Sequence, residues 1–230
     1  ESISIGIKWN DFIDEHNIKV ATEQAMIEAI NGLEIKPNKI LIDGFSLDIP
    51  IKNEGIIKGD QKFDNIMAAS IIAKVTRDEI MRSFHYIYPE YDFLSNSGYG
   101  TKKHLQALNK HSFTEIHRKT FKPVSDYLPG FEDIEDIKKL RLQLAATDLL
   151  KNTHCLININ FIEYYILTSK DNSYNFYSLN TELSKNQICD LVDDILDNDS
   201  NKKDISSNLN ISVISVEFSK AKPKIKYEKY

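Results

Sequence analysis

The chain has 230 residues, 41% apolar and 27% charged, with a formal net charge of −5. That length suits one large or two small globular domains, the composition is ordinary for a folded protein, and the acidic balance argues against a general polyanion binder. No apolar run approaches the roughly 18 residues of a spanning helix, the opening Glu1-Ser-Ile-Ser has no leader pattern, and Cys155 and Cys189 lack CxxC spacing, so the expectation is a cytoplasmic protein without a membrane partner and with two reduced, buried thiols.

In chain order, Ile3, Ile5 and Ile7 alternate with Ser4, Gly6 and Lys8, which predicts a short half-buried strand. Residues 9–16 read as a polar turn. Ile18, Ala21, Ala25, Met26, Ala29, Ile30 and Leu33 then make a helical stripe, with Asn17 as N-cap and Gly32 at the exit. Lys39-Ile-Leu-Ile-Asp43 reads as a buried strand before Gly44, and Gly55-Ile-Ile-Lys-Gly59 as a second. A helix is predicted over 64–82, with Ile66 or Met67, Ile71, Val75 and Ile80 or Met81 as its stripe. Ser97-Gly-Tyr-Gly-Thr101 is a tight turn, because both glycines permit positive φ. A helix over 102–109 and an extended basic segment over 117–124 follow. Alternating strands and helices of this length predict an α/β layer fold.

Composition shifts at Tyr127-Leu-Pro-Gly130, which places a domain boundary near 128. Residues 129–230 read as a small α+β domain of order α-β-β-α-β. Its predicted elements are a helix over 134–150, strands over 155–167 and 174–179 joined through Asp171-Asn172, a helix capped by Thr181 or Ser184, and a strand over 211–218. Residues 198–210 read as disordered and 220–230 as a charged tail.

Asp43 ends a predicted strand and Asp60 precedes a helix start, where partial positive charge favours an anion. Strand ends and helix starts gather on the ligand-binding edge of open α/β sheets. Two carboxylates there suit Mg²⁺ or Mn²⁺, hard ions that complete their shells with water and substrate phosphate. Taken singly, the better reading is that Asp43 opens a glycine turn and Asp60 caps a helix. Tyr99 either stacks on a sugar or base or packs under its turn. Ser70 and Lys74 share a helical face and either reach a phosphate or stand exposed without a role. From 101 to 123, Lys102, Lys103, Lys110, Arg118, Lys119 and Lys122 face Glu115 alone, with His104, His111 and His117 interleaved. That patch is either a phosphate footprint or a solvated surface, and charge alone favours the latter.

Read together, these pieces resemble the bacterial ribonuclease HII family over residues 1 to about 125. The resemblance is carried by Ile13-Asp-Glu-His-Asn-Ile18 with Ala21, Ala25 and Met26; Leu41-Ile-Asp-Gly44; Lys58-Gly-Asp60; Ala68-Ala-Ser-Ile-Ile-Ala-Lys-Val75 with Arg77-Asp78; Tyr88-Pro-Glu-Tyr91; Gly98-Tyr-Gly-Thr101 with His104; and His117-Arg-Lys-Thr-Phe-Lys-Pro123. It implies a ribonuclease H-like fold, Mn²⁺ or Mg²⁺, and endonucleolytic cleavage of RNA in RNA–DNA hybrids and at ribonucleotides in duplex DNA. It also implies that Asp43 and Asp60 are catalytic metal ligands and that Tyr99 stacks on the sugar at the RNA–DNA junction. Lys58, Ser70, Lys74, Lys102, Lys103, His117 and Arg118 are the remaining substrate-binding expectations.

The family's opening Asp-Glu-Ala-Gly-Arg-Gly does not occur in the sequence. It would bring two further carboxylates and the loop that senses the ribose 2′-hydroxyl. Asp14-Glu15 matches a later, non-catalytic segment. The expectation is therefore a domain incomplete at its N-terminus and little or no activity from these residues alone. The rivals are a non-catalytic hybrid-binding module or pseudo-enzyme, and another nuclease of the same fold. Residues 131–230 do not share the resemblance.

Overall fold

The structure, a computed structural model, describes residues 2–126, 137–179, 183–196, 208–218 and 223–229. The chain divides into two compact units, Glu1–Arg82 with Phe93–Leu128, and Ser83–Asp92 with Pro129–Tyr230.

In the first unit, helix α1 runs Asn10–Asn31 with one break. Asn17 has φ 71° and ψ 166°, and its Oδ1 accepts the N–H groups of Lys19 and Val20 at 2.9 and 3.2 Å. It therefore caps the second half of α1, as the sequence predicts. Residues 10–16, predicted as a turn, form a helical lead-in.

The opening segment inverts its predicted orientation. Ile3, Ile5 and Ile7 are exposed and no ladder forms there. The intervening small residues face α1 instead, and a Cβ on Gly6 would lie 1.8 Å from the Ala25 carbonyl oxygen. Close backbone approach, which only glycine permits, outweighs the burial that alternation implies.

Strands β1 (Ile40–Asp43) and β2 (Asn53–Ile56) pair in parallel, with Asp43 opposite Ile56. The second strand thus begins before its predicted start. Asn53 explains the shift: its side chain accepts Leu47 N–H at 2.8 Å and donates to the carbonyls of Leu47 and Ile51, so the strand starts where the loop is tied. Helix α2 (Asp64–Ile87) buries Ile66 but leaves Met67, Ile71 and Val75 exposed. A short helix α3 (Phe93–Asn96) and α4 (Lys102–His111) follow. Thr101 caps α4, its Oγ1 accepting His104 N–H. The predicted extended segment 117–124 instead forms turns that close into a 3₁₀ helix, Val124–Asp126.

The second unit holds α5 (Ile137–Lys151), β3 (Cys155–Asn160), β4 (Tyr165–Lys170), β5 (Ser173–Ser178), α6 (Lys185–Leu196), β6 (Leu209–Glu217) and β7 (Lys224–Lys229). The five strands lie in sequence order, antiparallel except for the parallel β5–β6 pair. The observed order is α-β-β-β-α-β-β rather than α-β-β-α-β. The missed turn lies inside the predicted strand 155–167: Asn160 Oδ1 accepts the N–H groups of Ile162 and Glu163, and Tyr164 takes φ 58°, so a single side chain folds what reads as one strand.

The predicted charged tail is β7. It alternates, and Tyr227 donates its hydroxyl to Asp148 at 2.8 Å and packs against the Tyr177 ring. Tyr165, Leu167 and Phe176 form the core with Ile188, Val192 and Leu196 of α6. Ser184 and Gln187 form a reciprocal capping box before α6. Thr181 and most of the predicted disordered stretch lie outside the described residues. Cys155 is exposed and Cys189 half-buried, both as free thiols, so the predicted burial does not hold. Among the described residues no helix is long and apolar enough to cross a membrane.

Gly6→Ala should lower the unfolding free energy by about 1–3 kcal/mol, the usual cost of forcing a methyl into a filled contact. Urea titration followed through Trp9, the chain's one tryptophan, reads this directly.

Candidate functional site

Parallel pairing carries β1 and β2 to a common edge, where the chain turns after each. Asp43 is the last residue of β1. Its Oδ1 accepts the Gly59 N–H at 2.8 Å, which brings its carboxylate beside the segment bearing Lys58 and Asp60. Gly59 is buried, and a Cβ there would lie 2.7 Å from Ile66 Cδ1 and 3.5 Å from Asp43 Oδ1. The glycine therefore lets the start of α2 and the Asp43 side chain close on the same backbone. Lys58 enters this turn at φ 54° and is exposed. Asp60 is the middle residue of the short 3₁₀ helix Gly59–Gln61 and is half-buried.

The Asp43–Asp60 pair fits a hard divalent ion as two oxygen donors. Asp43 is oriented through one oxygen by a backbone donor, and Asp60, half-buried, follows that donor's residue, Gly59, in sequence. Among the described residues no group of three or more His, Cys, Asp or Glu could hold a metal. The remaining ligands would come from water and a phosphate.

A second cluster surrounds Tyr99, which is 69% exposed. Its turn is closed by Asn96, whose side chain accepts Gly98 N–H and whose carbonyl accepts Tyr99 N–H, both at 2.8 Å. Arg77 on α2 lies over the Tyr99 ring, 5.2 Å from its centroid, and donates to the Ser97 carbonyl at 2.6 Å. Ser70, Lys74 and Arg77 share one face of α2 by their spacing. Ser70 and Lys74 are exposed, and Lys74 pairs with Asp78. Arg77, read in the sequence only as part of a motif, was not among the expected site residues, although its i+7 spacing from Ser70 was a usable signal.

Lys102 and Lys103 start α4, exposed, and Arg118 and Lys119 are exposed on the following segment. That segment is held by Asp14. Its carboxylate accepts the N–H groups of Lys119 and Thr120 at 2.8 and 3.0 Å and the Thr120 hydroxyl at 2.6 Å. Burial raises the Asp14 pKa, but these hydrogen bonds and the Lys119 charge outweigh it, and the carboxyl stays below its ordinary range. Nothing local in the sequence singled out Asp14 for this role.

His117 stands apart from the other candidates: it is buried, at 6% exposure. Its Nδ1 accepts Thr114 N–H at 3.0 Å, and its Nε2 lies 3.1 Å from His104 Nε2. His104, also buried, places Nδ1 3.0 Å from the Tyr99 carbonyl oxygen. A carbonyl only accepts and an amide only donates, so the tautomers follow. His104 carries its proton on Nδ1, and His117 donates its Nε2 proton to His104. Both rings pack against Phe93.

The ribonuclease HII family profile matches residues 4–124. Ribonuclease HII of Lactobacillus helveticus (strain DPC 4571) is 48% identical over 126 residues, covering 55% of this chain and 50% of that protein. The same coverage holds for ribonuclease HII of Lactobacillus acidophilus at 48% and of Lactobacillus johnsonii at 47%. The chain spans about half the length of the curated relatives it matches.

Burial, and then the neighbouring His104 ring, push the His117 imidazole from 6.5 down to about 3. The unfolded state therefore binds the extra proton first as pH falls. The His117 contribution to stability should be intact above pH 6.5 and decline between 6.5 and 3, by up to about 1.4 kcal/mol per pH unit. Urea titrations across that range should show this slope in the wild type, and a shallower one in His117→Gln.

Proposed function

The chain belongs to the ribonuclease HII family, whose fold is ribonuclease H-like, and from that premise we propose that residues 1–128 serve metal-dependent endonucleolytic cleavage of RNA in RNA–DNA hybrids and at ribonucleotides in duplex DNA. The observation that carries this reading is the Asp43 carboxylate pinned by the Gly59 N–H beside Asp60, at the edge of two parallel strands where an open α/β sheet binds its ligand.

In this reading Asp43 and Asp60 hold Mn²⁺ or Mg²⁺. When bound, such an ion stabilises charge on a phosphate in transfer and makes a water more acidic. The other roles fall to the protein's own side chains. Tyr99 offers a ring that stacks on a sugar at the junction. Lys102, Lys103 and Arg118 meet duplex phosphates, with the Arg118 segment oriented through Asp14. Lys58, Ser70 and Lys74 line the approach to the metal edge, and Lys74 exchanges its Asp78 partner for a phosphate. The exposed small residues Ala68, Ala69 and Ala73 on α2 let a duplex backbone come close.

Asp43→Asn and Asp60→Asn should each weaken Mn²⁺ binding by at least about tenfold, or about 1.4 kcal/mol, in isothermal titration. Duplex binding measured without metal should be unchanged. Unaltered Mn²⁺ affinity in both variants would remove the metal role. Lys102→Ala and Lys103→Ala should each flatten the dependence of log affinity on log salt by about 0.9, the loss of one phosphate contact.

With two of the family's carboxylates in the sequence, the 230 residues alone should incise a ribonucleotide-containing duplex only weakly in Mn²⁺. Robust incision would overturn that expectation. Tight duplex binding with no incision, even when a peptide bearing the family's opening motif is supplied, would favour a binding module.

A further inference from the structure

Tyr99 stands out from the surface, yet its placement is decided underneath. Its carbonyl oxygen accepts two hydrogen bonds, from Thr101 N–H at 2.8 Å and from His104 Nδ1–H at 3.0 Å. The second comes from a buried ring whose other nitrogen is held by His117. His117 in turn is fixed at Nδ1 by Thr114, with the N–H at 3.0 Å and Oγ1 at 2.8 Å, and at its carbonyl by Asn10 Nδ2 at 3.2 Å. A directed chain of hydrogen bonds therefore runs from Thr114, through two imidazoles, to the backbone of the exposed tyrosine. Its starting segment is the one that presents Arg118 and Lys119.

Apolar side chains would fill this volume without the cost of burying four ring nitrogens. What the histidine pair adds is direction, because the Thr114 amide and the Tyr99 carbonyl at its two ends fix the sense of donation along it. Arg77 completes the arrangement from α2, over the ring and on the Ser97 carbonyl. Ser97 has φ 47°, a left-handed conformation that a non-glycine residue keeps only where its surroundings hold it, while Gly98 at φ 78° takes it freely.

We propose that His117 and His104 are positioning residues for Tyr99: they hold its carbonyl and, with Arg77, present the phenol ring in register with the Arg118–Lys119 segment, so that stacking on a sugar and contact with phosphate occur together on one duplex. This rests on the duplex-binding reading above. His117 thus acts through Tyr99 without touching nucleic acid. A platform ordered before binding spares the ordering cost at binding, and its loss should appear as lost affinity.

The test has two arms on the full chain. In the first, amide hydrogen exchange at Tyr99 and Thr101 is followed in His104→Phe, which keeps a ring against Phe93 but removes both hydrogen bonds. His104→Asn keeps an N–H near the Nδ1 position. Exchange should quicken by about tenfold in the phenylalanine variant and return towards wild type in the asparagine variant. Should His104→Phe not fold, His104→Gln, which moves its amide away from the Nδ1 position, takes its place with the same expectation. Unchanged exchange overturns the proposal.

In the second arm, anisotropy measures affinity for a duplex with one ribonucleotide. His104→Phe and Tyr99→Ala should each weaken binding by about tenfold, and the double variant no further. Additive losses overturn the proposal. A wild-type chain that does not bind the duplex removes the duplex reading, while the exchange arm still decides whether the histidines hold Tyr99.

Discussion

Every backbone N–H and C=O withdrawn from water needs a partner, and outside helices and strands a side chain often supplies it. Much of the first unit is organised by that requirement. Asn10 serves the carbonyls of Glu115 and His117, and Asp14 serves the amides of Lys119 and Thr120. Asn53 closes the loop over 47–51, Asn96 closes the turn at Gly98, and His104 reaches the Tyr99 carbonyl. These side chains give irregular segments a definite shape, and the irregular segments carry the exposed cations and the exposed tyrosine.

The same requirement separates two kinds of charge in the molecule. Lys102, Lys103, Arg118 and Lys119 are exposed, so their charge lies at the surface. His117 sits where charge is costly, which holds its pKa down, and with the buried His104 it acts as hydrogen-bonding geometry. Spacing alone treats all of these as one basic, histidine-rich run. Burial sorts them into exposed cations and buried rings. Asp14 shows the converse: an acidic residue whose task is to clamp the segment of opposite charge.

Several elements were legible from composition and spacing because their causes are local. Asn17 caps a helix through its own neighbouring amides, Thr101 caps α4, and Asp171-Asn172 takes two positive φ values in its hairpin turn. Where the reading differs, the cause is distant in sequence. Ile3, Ile5 and Ile7 face outward because Gly6 meets Ala25. β7 forms because Tyr227 finds Asp148 and Tyr177. The turn after Asn160 was hidden because it has no glycine or proline and apolar residues continue on both sides of it.

By itself, then, the sequence determined the family, through an ordered series of short motifs, and the identity of the residues available for chemistry: two acids, one tyrosine between glycines, and a run of cations. The tertiary structure alone decided how these are used. Asp43 is oriented by a backbone amide 16 residues away, Arg77 meets Tyr99 across two elements, and His117 lies buried against His104 rather than among the exposed cations. Motif identity is a property of neighbours along the chain. Burial, tautomer and hydrogen-bond direction depend on which distant groups the fold brings within about 3 Å, and no local pattern encodes that.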